Sequence, residues 1–197
     1  MKYFAFVDPS GGSSDSMTLA VARRAILGKA AMLSGFWERR PPFSPDVVTE
    51  EFAEILKSYK ITQVVGDRYG GEWPRERFRA HGISYVPSEK TKSEIFLEFL
   101  ALVNSRRVKI PNNKRLRTQL VSLERRTSRG GRDSVDHAPR GHDDLANCVA
   151  GALVLAAAGA APKPWIEWIP ARGPSRVSFD GIDAFNCGPE RWWKRIS

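Results

Sequence analysis

The stretch Gly141-His142-Asp143-Asp144-Leu145-Ala146-Asn147 constrains this chain more than any other. It opens an apolar run, residues 145–158, in which Asn147 and small residues are the interruptions. Such a run reads as a helix buried in the core. Aspartates in the first turn of a helix ordinarily complement the positive end of its dipole and cap free N–H groups. Two in a row, preceded by a histidine and followed by so apolar a helix, fit that role less well. A core helix brings its first turn to a sheet edge, and carboxylates on rigid core elements are what a divalent-metal site needs.

Taken in order, residues 2–8 read as a strand, aromatic and β-branched almost throughout and so buried on both faces. It ends at Asp8 and runs into a turn-rich loop. Residues 17–26 and 30–38 read as two more strands around a Gly28-Lys29 turn, which makes a meander. Ser44-Pro45 starts a helix, with Ser44 as N-cap and Val48, Phe52, Ile55, Leu56 and Tyr59 as its apolar stripe. Residues 62–67 form a short strand that again ends in aspartate, at Asp67. After a turn at Arg68-Tyr69-Gly70-Gly71, a helix begins near Trp73-Pro74 and stops by Gly82. Residues 83–87 are a strand. Thr91 and Glu94 form a capping box for a helix that carries Ile95, Phe96, Phe99, Leu100 and Val103. Residues 108–111 are extended. Residues 113–124 are a basic helix with Leu116, Leu120 and Leu123 inward, and residues 128–132 are a hairpin turn. The whole reads as an α/β domain over residues 1–158, with a Pro-, Gly- and Trp-rich C-terminal tail at 159–197.

Three aspartate positions stand out: Asp8 and Asp67 at strand ends, and Asp143-Asp144 at the helix start. Sites in open α/β sheets form at the carboxyl ends of strands. If the first and fourth strands are parallel neighbours, Asp8 and Asp67 lie side by side and the last helix brings its first turn over them. Carboxylates that converge without lysine or arginine compensation repel one another, and hard divalent cations such as Mg2+ or Mn2+ resolve that repulsion. Two such ions about 3.5–4 Å apart can clamp the attacking and leaving oxygens of a phosphodiester. Any one of these aspartates alone reads more simply as a turn residue that bonds its own backbone.

Charge points the same way. The chain carries 31 Lys and Arg against 22 Asp and Glu, a net charge of +9, which suits a polyanion such as nucleic acid. No apolar run reaches the roughly 20 residues of a spanning helix, so no membrane is expected. The two cysteines, Cys148 and Cys187, and three histidines supply no disulfide or zinc framework. A reducing cytosol is the natural compartment. Basic residues concentrate between Arg106 and Arg132, opposed there by Glu124 alone, and Arg129-Gly130-Gly131-Arg132 suits a hairpin that holds phosphates. Lys90 and Lys92 stand beside the expected site. Trp192-Trp193-Lys194-Arg195 suits base stacking, or simply packs the tail.

Three motifs in this order, Asp8-Pro9-Ser10-Gly11-Gly12-Ser13-Ser14-Asp15, Val64-Val65-Gly66-Asp67-Arg68-Tyr69-Gly70-Gly71 and Gly141-His142-Asp143-Asp144-Leu145-Ala146, resemble the nuclease domain of bacteriophage terminase large subunits. The resemblance implies a ribonuclease H-like fold, with a central mixed sheet of five or more strands flanked by helices. It implies a metal-dependent endodeoxyribonuclease that cuts phage DNA during packaging, encoded by a phage or prophage and working in the bacterial cytoplasm. By the same resemblance Asp8, Asp67, Asp143 and Asp144 are the metal ligands for two Mg2+ or Mn2+ ions, and Asp15 is an auxiliary. Arg68, Lys90, Lys92, Arg129 and Arg132 are the DNA contacts. Double-stranded DNA is the partner, and a separate ATPase motor, a small terminase subunit or a portal are further ones. No G-x-x-x-x-G-K-[ST] loop occurs, so the chain is expected to lack the ATPase motor of those subunits. A Holliday-junction resolvase or transposase on the same fold, and a DNA-binding packaging module without catalysis, are the alternatives.

Overall fold

In the computed structural model, residues 1–25, 30–68, 72–127, 133–139, 141–158, 177–179 and 182–184 are described. The chain divides into two units, Met1–Ala160 and Ala161–Ser197. In the second unit, two short strands, Val177–Phe179 and Ile182–Ala184, pair antiparallel. The remainder of the expected tail lies outside the described residues, as do Cys187, the Trp192-Trp193 pair, the Gly28-Lys29 turn, the Tyr69-Gly70-Gly71 turn and the 128–132 hairpin turn with Arg129 and Arg132.

The first unit is built on β1 (Tyr3–Asp8). It pairs antiparallel with β2 (Met17–Arg24), which pairs antiparallel with β3 (Ala31–Arg39). On its other side β1 pairs parallel with β4 (Gln63–Gly66), and β4 pairs parallel with β5 (Ser84–Pro87). β6 (Val108–Lys109) adds a parallel strand beside β3, giving one six-stranded mixed sheet in the order β5-β4-β1-β2-β3-β6. The meander and the parallel placement of Asp8 beside Asp67 are as the sequence led us to expect. β1 is buried on both faces for the reason its pattern suggests. Phe6 faces one core, and Ala5 and Val7 face the other.

The core on the Ala5 and Val7 side is closed by α1 (Pro45–Ser58) and α2 (Trp73–Ala80), through Val48, Phe52, Leu56 and Phe78. Ser44 is the N-cap of α1 by position, but its hydroxyl makes no capping bond. The core on the Phe6 side holds α3 (Lys92–Asn104), α4 (Lys114–Val121) and α5 (Asp144–Ala158). The Thr91/Glu94 capping box starts α3 as expected. Leu102 is buried there, whereas Leu100 and Val103 are exposed, so the buried stripe runs 95, 96, 99, 102. α4 stops at Val121, and Leu123 belongs instead to β7 (Leu123–Thr127), which pairs with β8 (Asp133–His137) as an antiparallel ladder.

α5 is buried along almost its whole length. It lies on small side chains of the sheet, Ala20, Ala22 and Ala31, and Gly151 lets it approach β1. A Cβ at Gly151 would sit 2.5 Å from the Phe6 ring. The Cys148 thiol donates to the Phe6 carbonyl at 2.9 Å, so the expected core role of this cysteine includes a bond that registers the helix on β1.

Overpacking a filled core costs about 1–3 kcal/mol. Gly151→Val is therefore expected to lower stability in denaturant titration by at least that much. Gly11→Ala, where an added Cβ meets nothing within 4 Å, should stay within about 0.5 kcal/mol of the parent. Equal stabilities for the two variants would show that α5 does not depend on this approach.

Candidate metal centre

The carboxyl ends of β1 and β4 place Asp8 and Asp67 side by side, because the two strands run parallel with Val7 opposite Gly66. Gly66 is needed there: a Cβ would lie 2.4 Å from the Tyr85 hydroxyl. That hydroxyl donates to the Asp67 carbonyl and fixes the strand end. Over both aspartates stands Asn147, one turn into α5. Its Nδ2 donates to Asp8 Oδ2 at 2.9 Å and reaches Asp67 Oδ2 at 3.5 Å. Its Oδ1 is buried and has no hydrogen-bond partner among the described residues.

Asp143 directly precedes α5, and its carbonyl accepts from the Asn147 N–H at 2.7 Å. The two helix-start carboxylates go to different partners. Asp144 Oδ2 accepts from the Ser16 N–H at 3.3 Å, and its carbonyl accepts from the Thr18 hydroxyl, which ties the helix start to β2. Asp143 is buried and faces the Lys92 ammonium, 3.0 Å from Oδ2. Lys92 also reaches Asp136 Oδ1 at 2.9 Å. The expectation of carboxylates without lysine compensation is therefore corrected. Lys92, expected on the DNA path, is inside the acidic cluster. The capping box fixes its helix, and Ser93 bonds Val135 of β8 through both backbone groups.

Asp8, Asp15, Asp67, Lys92, His137, His142, Asp143, Asp144 and Asn147 line one cleft of about 780 Å³. Asp15 stands at its exposed rim, 4.0 Å from His142 Nδ1. One potential ligand atom from each of Asp136, His137 and Asp143 lies within 4.8 Å of the others. The sequence reading missed Asp136, His137 and Asn147. Asn147 had a signal, as a lone amide in an apolar helix four residues after Asp143. Asp136 and His137 had none, since the strand that carries them meets Lys92 only through tertiary packing.

Of the other expected DNA contacts, Arg68 donates to the Ser88 and Glu89 carbonyls, and Lys90 pairs with Glu98. In the basic segment, Arg115 forms a two-pronged bond with Glu38 and Arg125 pairs with Asp133, so Glu124 is not its sole counter-charge.

Electrostatics single out Asp8. Burial pushes its carboxyl up to about 8; the Asn147 amide works against this, and the charges of Asp67, Asp144 and Asp143 add to it. Burial also raises Asp144, opposed by the Ser16 N–H and reinforced by Asp15 and Asp143. Asp8 thus holds a proton in the native state across a range where the unfolded chain has lost it. Without metal its contribution is complete below about pH 4 and is lost as pH rises to about 8. The melting temperature of metal-free protein should fall across that window, and Asp8→Asn should flatten the fall. A melting temperature that rises over the same window would contradict this account of the cluster.

Neither a family model nor a curated protein sequence matches the chain. Solved structures do. The large terminase nuclease of thermophilic phage G20c superposes with a TM-score of 0.63 at 22% identity, covering 81% of this chain and 82% of that one. The same nuclease with bound magnesium gives 0.61 at 22% identity, over 77% of this chain and 81% of that one. The HK97 bacteriophage large terminase gives 0.64 at 17% identity over 78% of this chain, which spans 39% of that longer protein. The chain therefore has the ribonuclease H-like fold of the phage large terminase nuclease domains.

Proposed function

We propose that this chain is a divalent-metal-dependent DNA endonuclease of the phage terminase type, acting on double-stranded DNA in concert with an ATPase motor on another polypeptide or segment. The observation that carries the proposal is the meeting of Asp8 and Asp67 under one amide, in a cleft that Asp143 and Asp144 also line. The fold likeness supports it, as does the magnesium bound by the G20c nuclease.

The residues present fit hard divalent cations. Asp8 is held protonated to about 8 by burial and by neighbouring carboxylates, and a divalent cation would relieve both causes by accepting the carboxylate as a ligand. Asp8, Asp67 and Asp144 would hold the ions. Between the two helix-start aspartates, Asp144 acts on Asp8 more strongly than Asp143 does, and Asp143 is engaged by Lys92. When bound, two Mg2+ or Mn2+ ions supply charge neutralisation at the reacting phosphate and a water acidic enough to attack at neutral pH.

The chain's own residues do the rest. Asn147 holds the Asp8 and Asp67 carboxylates in one orientation. The Ser16 N–H and Thr18 hydroxyl hold the start of α5 against β2, so Asp144 stays at a fixed distance from the strand ends. DNA would approach along the face of Lys90 and the β7–β8 ladder, with Arg129 and Arg132 of the segment between these strands on phosphates. The net charge of +9 favours that encounter. A small terminase subunit or a portal would be further partners of the assembled motor.

Supercoiled plasmid should be cut in magnesium or manganese and left intact in EDTA. Asp67→Asn should abolish cutting, leave DNA binding unchanged or tighter, and leave the metal-free melting temperature equal or higher, since one like charge is gone. Cutting at the parental rate by Asp67→Asn would end the metal-site reading.

A second expectation concerns the DNA path. Arg129→Ala with Arg132→Ala should weaken binding and reduce the slope of log K against log salt by about 0.9 per lost phosphate contact. An unchanged slope would take these two arginines off the path.

A further inference from the structure

The Lys92 ammonium stands between two carboxylates, 2.9 Å from Asp136 and 3.0 Å from Asp143. It is a cation held in a cation's place. Apart from that ammonium, Asp143 Oδ2 is buried without a hydrogen-bond partner among the described residues, and its side chain is only 7% exposed. Burial alone would lower the Lys92 ammonium, but Asp136 and Asp143 outweigh it and hold the group above the usual lysine value.

A third residue makes this cluster more than an acidic pair. His137 Nδ1 lies 2.8 Å from the Ala138 carbonyl. A carbonyl only accepts, so Nδ1 carries the proton, and in the neutral ring Nε2 is left with its lone pair. This is how metal-binding histidines are commonly oriented, one nitrogen donating to a backbone carbonyl and the other facing the ion. Nε2 is 3.8 Å from Asp136 Oδ1, and one ligand atom from each of Asp136, His137 and Asp143 falls within 4.8 Å of the others. Asp136, His137 and Lys92 are partly open to solvent, which gives an ion a way in.

We propose that Asp136, His137 and Asp143 form a second cation site in the cleft, selective for first-row transition-metal ions over magnesium, with the Lys92 ammonium as its occupant in the metal-free protein. An ammonium keeps its oxygens at hydrogen-bond distance. Ions of the zinc and cobalt class bind oxygen and imidazole nitrogen at about 2.0–2.2 Å, so exchange of Lys92 for such an ion draws the three ligands together. The imidazole sets the preference. Magnesium favours all-oxygen surroundings, whereas zinc, cobalt and nickel accept nitrogen. Lys92 sits at the first position of α3 on a long flexible stem, so it can leave without disturbing the capping box behind it. Selectivity at this site does not depend on whether the chain cuts DNA.

The test uses the full chain carrying Asp8→Asn and Asp67→Asn, which removes two of the three ligands proposed for the other half of the cleft and leaves Asp144 alone there. Cobalt(II) is titrated by calorimetry and by its visible absorption, with circular dichroism to show that each variant is folded. The expected result is one cobalt per chain, not displaced by millimolar magnesium. Adding His137→Gln should weaken cobalt by at least the roughly 10–100-fold that loss of even an outer-shell partner costs. Adding Lys92→Met instead should tighten cobalt several-fold, because the competing cation is gone. No cobalt binding in the folded double variant overturns the proposal, as does cobalt binding that His137→Gln leaves unchanged. Unchanged or weaker binding in Lys92→Met overturns the part assigned to the ammonium. Plasmid cleavage by the parent chain is read separately, so failure of this site and failure of the nuclease reading are told apart.

Discussion

The close approach of α5 to β1 is the constraint on which the rest of this structure depends. Gly151 against the Phe6 ring and the Cys148 thiol on the Phe6 carbonyl set the depth and register of the helix. That register carries Asn147 to Asp8 and Asp67 and puts the start of the helix over the strand ends. The small residues under the helix, Ala20 and Ala22, are on the same account. A larger residue in that layer would overpack the contact between α5 and the sheet, the contact that positions the site. Packing and chemistry here are one requirement, which is why the most apolar helix among the described residues also starts at a pair of aspartates.

The electrostatics show which effect prevails at that helix start. The dipole of α5 favours carboxylates at its N-terminus by about 0.3–1 kcal/mol, rising to about 2 kcal/mol when partly buried. Asp8 and Asp67 share one amide nitrogen at 2.9 and 3.5 Å, so their oxygens are on the order of 6 Å apart or less. At that distance and an effective dielectric of about 20, two unit charges repel by about 3 kcal/mol. Asp144 and Asp143 add to this. Burial, with this repulsion added to it, exceeds what the dipole and the Asn147 amide return, so the metal-free protein holds Asp8 protonated. Lys92 neutralises charge on the Asp136 and Asp143 side, which leaves Asp8, Asp67 and Asp144 as the unneutralised half.

Much of this was legible in the sequence, and the missing parts share a cause. Asp8 and Asp67 were visible because each ends an apolar strand, and parallel pairing of those strands follows from an α/β order. The capping box at Thr91 and Glu94 was visible because its two bonds are local. Leu102 was missed in favour of Leu100 and Val103 because both choices satisfy helical spacing, and only the position of α5 decides between them. The early end of α4 was missed for a similar reason: pairing of Leu123 with His137 in the β7–β8 ladder competes with one more helical turn, and the ladder wins. Lys92 and Asp136 are 44 residues apart, brought together by Ser93 on the backbone of Val135. No local pattern carries that contact. The basic segment was over-read as free charge, since the guanidinium of Arg115 is spent on Glu38 of β3.

The adjacent aspartates at the start of α5 now have a reason to be two. Successive residues entering a helix point roughly 100° apart, so neighbouring carboxylates at one helix start cannot both face the same ion without strain. In this chain they do not. Asp144 is held by the Ser16 N–H on the side of β2, while Asp143 turns to Lys92 of α3, which also holds Asp136 of β8. One helix terminus thereby serves two flanks of the cleft, an all-oxygen flank with Asp8 and Asp67 and a nitrogen-containing flank with Asp136 and His137. The divergence follows from helix geometry and from the two elements that pack on either side of the terminus. On the two metal sites proposed above, a single aspartate there would leave one flank with two ligands, too few to hold an ion against water.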